Sequence, residues 1–146
     1  MREILFRGKR KDNGEWIQGD LLHDRFISSN EKICRIYNEE SKLTHREDVV
    51  IPETVGQYTG LKDKNGKRIF EGDIILHHSD NIYAIPANAE KGLVYWDDMC
   101  CGWRRTSNGV LHNNVVKTYR MSNECDYEII GNIHDNPELL EVTWKN

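Results

Sequence analysis

A mainly β fold, β-rich α+β at most, is what this chain predicts, and three observations carry the prediction. Apolar residues come in short runs rather than long ones. Gly, Asn and Asp, the residues that tight turns demand, separate those runs at short intervals. One stretch, residues 55–75 (VGQYTGLKDKNGKRIFEGDII), reads as a hairpin with an apolar approach, a charged tip and an apolar return.

Taken in order, Ile4 and Phe6 alternate with Leu5 and Arg7 as a strand, Asp12-Asn13-Gly14 turns it, and Trp16-Ile17 begins the return. Gly19-Asp20 bends that return before Leu21-Leu22. Phe26-Ile27 makes another short strand, closed by Ser28-Ser29-Asn30. Residues 32–37 fit helical and strand spacing alike, because so short an apolar run does not separate the two periods; the β surroundings favour a strand. Residues 38–45 read as loop. Pro52 holds Ile51 extended, and the junction between two subdomains is placed here.

In the central hairpin Gln57-Tyr58-Thr59 is strand-like and Gly60 breaks the run. Asn65-Gly66 can take positive φ at both central positions of a turn. Ile69-Phe70 and Ile74-Ile75-Leu76 flank Glu71-Gly72-Asp73, where Gly72 meets a backbone demand that a β-carbon would meet only at a cost. Residues 76–89 are irregular. Gly92-Leu93-Val94-Tyr95-Trp96 is a strand, Asp97-Asp98 turns it, and residues 102–106 return. Ser107-Asn108-Gly109 is read as a further turn, residues 115–119 as a strand, and residues 127–130 as a strand ending at Gly131. Asp135 or Asn136 caps a short helix with Pro137 first, where its missing N–H costs little, and Leu139 and Leu140 pack it down.

Residues 1–52 are thus expected to form an N-terminal β-meander. Residues 53–146 are expected to form a small Src-homology-like β-barrel with a short C-terminal helix. Closure of the barrel would remove the exposed edges that short strands otherwise leave.

Three segments also resemble a known family. Tyr58-Thr59-Gly60-Leu61, Asp63-Lys64-Asn65-Gly66 and Glu71-Gly72-Asp73-Ile74 resemble the signature of the YopX family, found in bacteriophages and prophages of Gram-positive bacteria. Residues 4–20 resemble its N-terminal hairpin, and residues 129–140 its closing motif. The resemblance implies no established reaction, and it carries over no catalytic residue.

At 146 residues, with 38% apolar and 30% charged side chains, the chain suits one globular domain or two small subdomains. The net charge of −4 argues against charge-driven nucleic-acid binding, without excluding a local basic patch. No apolar run reaches signal-peptide or membrane-span length. The expected compartment is the bacterial host's cytoplasm, where Cys34, Cys100, Cys101 and Cys125 would be free thiols.

The candidate chemistry is sparse. His77, His78, Cys100 and Cys101 are metal-ligand types, but adjacent strand residues point to opposite faces and rarely serve one ion. Neither a nucleophile elbow nor a phosphate-binding loop occurs. Asp97-Asp98, Glu71 with Asp73, and His134-Asp135 read as turn, strand-start and cap residues. Nothing calls for a cofactor. The binding candidates are Lys62, Lys64, Lys67 and Arg68 around one turn, together with Trp103, Arg104 and Arg105, an aromatic beside two guanidiniums of the kind that lines single-strand grooves. The opposing reading puts Trp103 in the core and makes the lysines solubilising.

Charge is also uneven along the chain. Residues 1–11 carry Arg2, Arg7, Lys9, Arg10 and Lys11 against Glu3, while residues 124–141 carry six acids and no Lys or Arg. The plain reading is two solvated faces, worth little energetically; the sharper one is head-to-tail association into a homo-oligomer. The leading expectation is a non-enzymatic binding or assembly module engaging its own copies or a host or phage protein. A nucleic-acid-associated accessory protein of phage replication or regulation is the alternative, and a hydrolase whose site forms only on folding is the third.

Overall fold

The computed structural model describes residues 1–25, 32–38, 48–78, 90–111, 115–123 and 126–140. The strands are β1 Phe6–Lys9, β2 Trp16–Arg25, β3 Lys32–Tyr37, β4 Asp48–Val50, β5 Gly56–Lys62, β6 Arg68–Phe70, β7 Asp73–His78, β8 Glu90–Asp97, β9 Gly102–Leu111, β10 Val115–Arg120 and β11 Asp126–Asn132. Helical structure among the described residues is confined to two 3-10 turns, Pro52–Thr54 and Pro137–Leu140. The mainly β class holds. The two antiparallel sheets have the orders β4-β3-β2-β1-β5-β6 and β10-β9-β8-β7-β11. The chain divides into two compact units, Met1–Gly60 and Leu61–Asn146. The readings made for residues 26–30, 39–45 and 79–89 lie outside the described residues.

In the first unit β1 to β4 form a meander, and β5 lies on the free flank of β1, with Phe6 opposite Gln57. The turn after β1 is closed by Arg10 N–H to Glu15 C=O (2.8 Å) and Gly14 N–H to Arg10 C=O (3.0 Å). Beyond β1 the chain meets β4. Arg10 bridges to Val50, Lys11 N–H donates to Val49 C=O, and Ile51 N–H donates to Lys9 C=O. β4 is therefore hydrogen-bonded along both flanks, which is how so short a strand persists. Thr54 Oγ1 accepts from Lys9 N–H (2.9 Å) and donates to Ile51 C=O (2.7 Å), pinning the first 3-10 turn.

Cys34, Ile36 and Val50 are buried, with Ile17, Leu21 and Val55 packed on them. Cys34 and Ile36 are two apart and both face inward, so strand parity settles the ambiguity of residues 32–37. Two turn readings change. Gly60 does not end its strand but sits inside β5 at φ +86°. Gly19-Asp20 lies within an uninterrupted β2, and what glycine supplies there is closeness, because a β-carbon on Gly19 would stand 2.1 Å from the Tyr37 carbonyl oxygen.

In the second unit β7 to β10 form a meander, and β11 returns to the outer side of β7. Ile69, Ile75, Val94, Trp103, Met121 and Tyr127 form the core, with Leu61 and Ile129 against it. Gly72 takes φ +84° immediately before β7. The three strands that suggested a barrel, β7, β8 and β11, are neighbours, but no closed barrel is found among the described residues. The outer flank of β11 is occupied by residues preceding β6 rather than by β10: Lys64 N–H donates to Tyr127 C=O (2.8 Å).

Ser107-Asn108-Gly109 is not a turn. β9 runs through it to Leu111, and its pairing with β10 absorbs the irregularity as a register shift between Val116 and Thr118. Gly131 likewise lies inside β11, at a shift between Ile129 and Gly131. The terminal helix is a 3-10 turn of four residues. Asn136 carries the carbonyl that receives Leu139 N–H, but it is Asn132 Oδ1 that accepts the amides of His134 and Asp135.

Candidate functional site

The basic tip is built by an acid. Asp63 Oδ1 accepts the amides of Asn65 (2.8 Å) and Lys67 (2.9 Å), and Oδ2 accepts that of Ile129 (3.4 Å). Burial alone would push this carboxyl up, but the amides of Lys67, Ile129 and Asn65 outweigh it and hold Asp63 below the usual carboxylate value. Gly66 N–H closes the turn onto Asp63 C=O, and Asp63 N–H donates to Lys67 C=O. Gly66 has φ +80°, whereas Asn65 does not have positive φ. The hairpin thus uses a longer loop with one left-handed glycine at its end, not a two-residue turn with two positive φ. Lys62, Lys64, Lys67 and Arg68 all lie exposed, and Lys64 Nζ pairs with Glu128 at 2.6 Å.

The second set of candidates parts company along β9. Trp103 (8% exposed) and Arg105 (4% exposed) point inward, and Arg104 points the other way. Trp103 packs edge-on to Trp96, with centroids 5.1 Å apart. Arg104 is held by Thr118, through Oγ1 (2.8 Å) and C=O (3.0 Å), and by Asp97 Oδ2 at 3.5 Å. The seven candidates do not present a single exposed face.

Arg105 sits in a polar cluster that the sequence reading missed. Its Nη2 meets His77 Nδ1 at 3.0 Å, its Nη1 meets Glu90 Oε2 at 3.3 Å, and its guanidinium lies 4.8 Å from the centre of the Tyr119 ring. A guanidinium has no acceptor, so His77 Nδ1 must receive this bond and the neutral ring carries its proton on Nε2. Parity was the available signal: Arg105 is two residues from Trp103, and His77 two from Ile75.

The remaining acids serve the backbone. Asp73, almost fully buried, accepts Phe70 N–H at 2.8 Å. Asp97 Oδ1 accepts the amides of Met99 and Cys100. Burial raises its carboxyl, but these donors and Arg104 more than offset that and hold it low. Asp135 receives the Asn132 side-chain amide. Among the described residues no group of three or more His, Cys, Asp or Glu could hold a metal ion. No helix among them is long and apolar enough to cross a membrane. The first unit has an open cleft of about 220 Å³ whose lining includes Lys11, Cys34, Val50, Pro52 and Glu53.

The family profile described as YopX protein matches residues 5–141. The chain belongs to the YopX family. Among solved structures the chain is similar to the crystal structure of protein EF1440 from Enterococcus faecalis, with 22% identity and a TM-score of 0.45, covering 97% of this chain and 100% of that one. No curated protein matches. In this YopX chain the polar motif residues are engaged in the fold: Asp63 and Asp73 take backbone amides, and Gly60, Gly66 and Gly72 take positive φ.

One prediction concerns the Arg105 cluster. Lysine has neither the planar fork nor the stacking face of arginine. Arg105→Lys is expected to lower the unfolding free energy by about 1.5 kcal/mol, read as a lower urea midpoint with an unchanged slope.

Proposed function

We propose that this YopX protein is a non-enzymatic binding or assembly module of phage type that works in the cytoplasm of a bacterial host, self-associating or engaging a host or phage protein. One observation carries the reading. Two of the three motif carboxylates that could do chemistry, Asp63 and Asp73, are committed to backbone N–H groups of Asn65, Lys67, Ile129 and Phe70. A general acid or base must instead be within reach of a substrate proton. The nucleic-acid alternative has less support, because Trp103 and Arg105 face the core and Lys64 is paired.

Two measurements test the proposal. Light scattering after gel filtration should give a mass above the monomer at low salt that falls as salt rises, since charge pairing between solvated ends is screened. Tagged protein recovered from phage-infected cells should retain a stoichiometric protein partner or further copies of itself. A monomer at every salt concentration that retains no protein would sink the reading. Retention of oligonucleotides instead would move it to the alternative.

A further inference from the structure

Adjacent cysteines on a strand would point apart, but Cys100 and Cys101 are not on a strand. They occupy the turn between β8 and β9, where strand alternation does not apply. Both are exposed, whereas Cys34 is buried. The turn is held by Asp97, whose carboxylate takes the amides of Met99 (3.0 Å) and Cys100 (3.3 Å). Cys101 has φ +47°, a left-handed conformation that costs a residue with a β-carbon on the order of 1 kcal/mol. Arg104 Nη1 points at Cys100 Sγ from 3.6 Å, and Thr118 and Asp97 fix that guanidinium. Cys101 Sγ donates instead to Asp98 C=O at 3.4 Å. Open access and an adjacent positive group, here shared with the Asp97 carboxylate that also faces the Cys100 thiol, are surroundings in which thiols react.

We propose that Cys100 and Cys101 form a peroxide-sensitive dithiol that closes reversibly into a vicinal disulfide. Cys100 reacts first, because its sulfur carries the guanidinium. The Cys100 thiolate attacks one oxygen of hydrogen peroxide; an S–O bond forms, the O–O bond breaks, and the other oxygen leaves as hydroxide, which takes up a proton to become water. The product is a sulfenic acid. The Cys101 thiolate then attacks the Cys100 sulfur; the S–S bond forms, the S–O bond breaks, and a second water leaves. Two electrons pass from the sulfurs to the peroxide, so two thiols and one peroxide become one disulfide and two waters. Consecutive Cα atoms lie about 3.8 Å apart, shorter than the roughly 4.4–6.8 Å usual for a disulfide, so the bond is strained and easily reduced. That suits a switch rather than a staple.

The test is mild hydrogen peroxide treatment of the intact protein, followed by thiol titration and mass mapping of the tryptic peptide covering residues 92–104. The expected result is loss of both thiols, a peptide lighter by two hydrogens, and full recovery with dithiothreitol. Cys101→Ser should trap the sulfenic acid on Cys100 as a dimedone adduct, and Cys100→Ser should give several-fold less adduct on Cys101. Both thiols surviving at peroxide levels that oxidise Met99, a bridge to Cys34 or Cys125, or a disulfide between two chains would each overturn the proposal. The mass readout on the unmodified sequence needs no variant to fold.

Discussion

Replacing Gly19 by alanine is expected to cost the first unit on the order of 4 kcal/mol. The added carbon would stand 2.1 Å from the Tyr37 carbonyl oxygen, 2.7 Å from its carbon and 3.0 Å from Ile36 Cγ2. Two of these are backbone atoms of β3, so no rotamer change relieves the overlap. β2 and β3 would have to separate, and their pairing from Asp20↔Tyr37 onward carries Ile36 into the core. Most native stability is only about 5–15 kcal/mol, so the loss takes up much of what is available. Urea unfolding with hydrogen exchange read by segment should show protection falling in β2 and β3. Protection in β2 and β3 equal to that of the unsubstituted protein would refute the packing argument.

Asp63→Ala should cost about 3 kcal/mol, because it removes a charged acceptor from three amides at once. Asp63→Asn separates shape from charge. Its oxygen can still serve Asn65 and Lys67, while its NH₂ faces the Ile129 amide donor to donor, and the loss should be about 1 kcal/mol. The pH dependence follows from the low carboxyl value. A carboxyl held lower in the folded state than in the unfolded chain stabilises the fold above its unfolded value, near 4, and that contribution disappears as pH falls through the folded value. As pH falls below about 4 the unsubstituted protein should therefore lose stability that Asp63→Asn does not lose. Parallel curves for the two proteins from pH 7 to about pH 3 would show that Asp63 is not the group responsible.

Local chemistry made the hairpins legible. Asp12-Asn13-Gly14, Asn65-Gly66 and Glu71-Gly72-Asp73 all mark real turns, because each needs only residues close in sequence. What was not legible depends on neighbours distant in sequence. Ser107-Asn108-Gly109 has turn composition, yet β10 pairs across it and keeps it in the strand. Gly131 looks like a stop but lies in β11, where the Asn136 and Leu139 side chains would crowd a β-carbon. The barrel pattern in β7, β8 and β11 correctly named neighbours, but closure turned on which segment took the outer flank of β11, and that was the backbone at Lys64. Among the candidate site residues, the lysines of the tip could be placed from turn chemistry alone. Trp103 and Arg105 could be separated from Arg104 only by strand parity, which a run of three adjacent attractive residues conceals.

β1 takes β2 on one side, β5 on the other and β4 at its tail. β1 thus gains β2 directly but has to wait for β4 and β5, which are translated later. At ordinary ribosomal speeds, roughly 5–20 residues per second, it waits several seconds for Gly56 and Gln57. Throughout that interval Phe6 and its neighbours have an open strand flank, the kind of transiently unpaired edge that makes growing chains prone to aggregate.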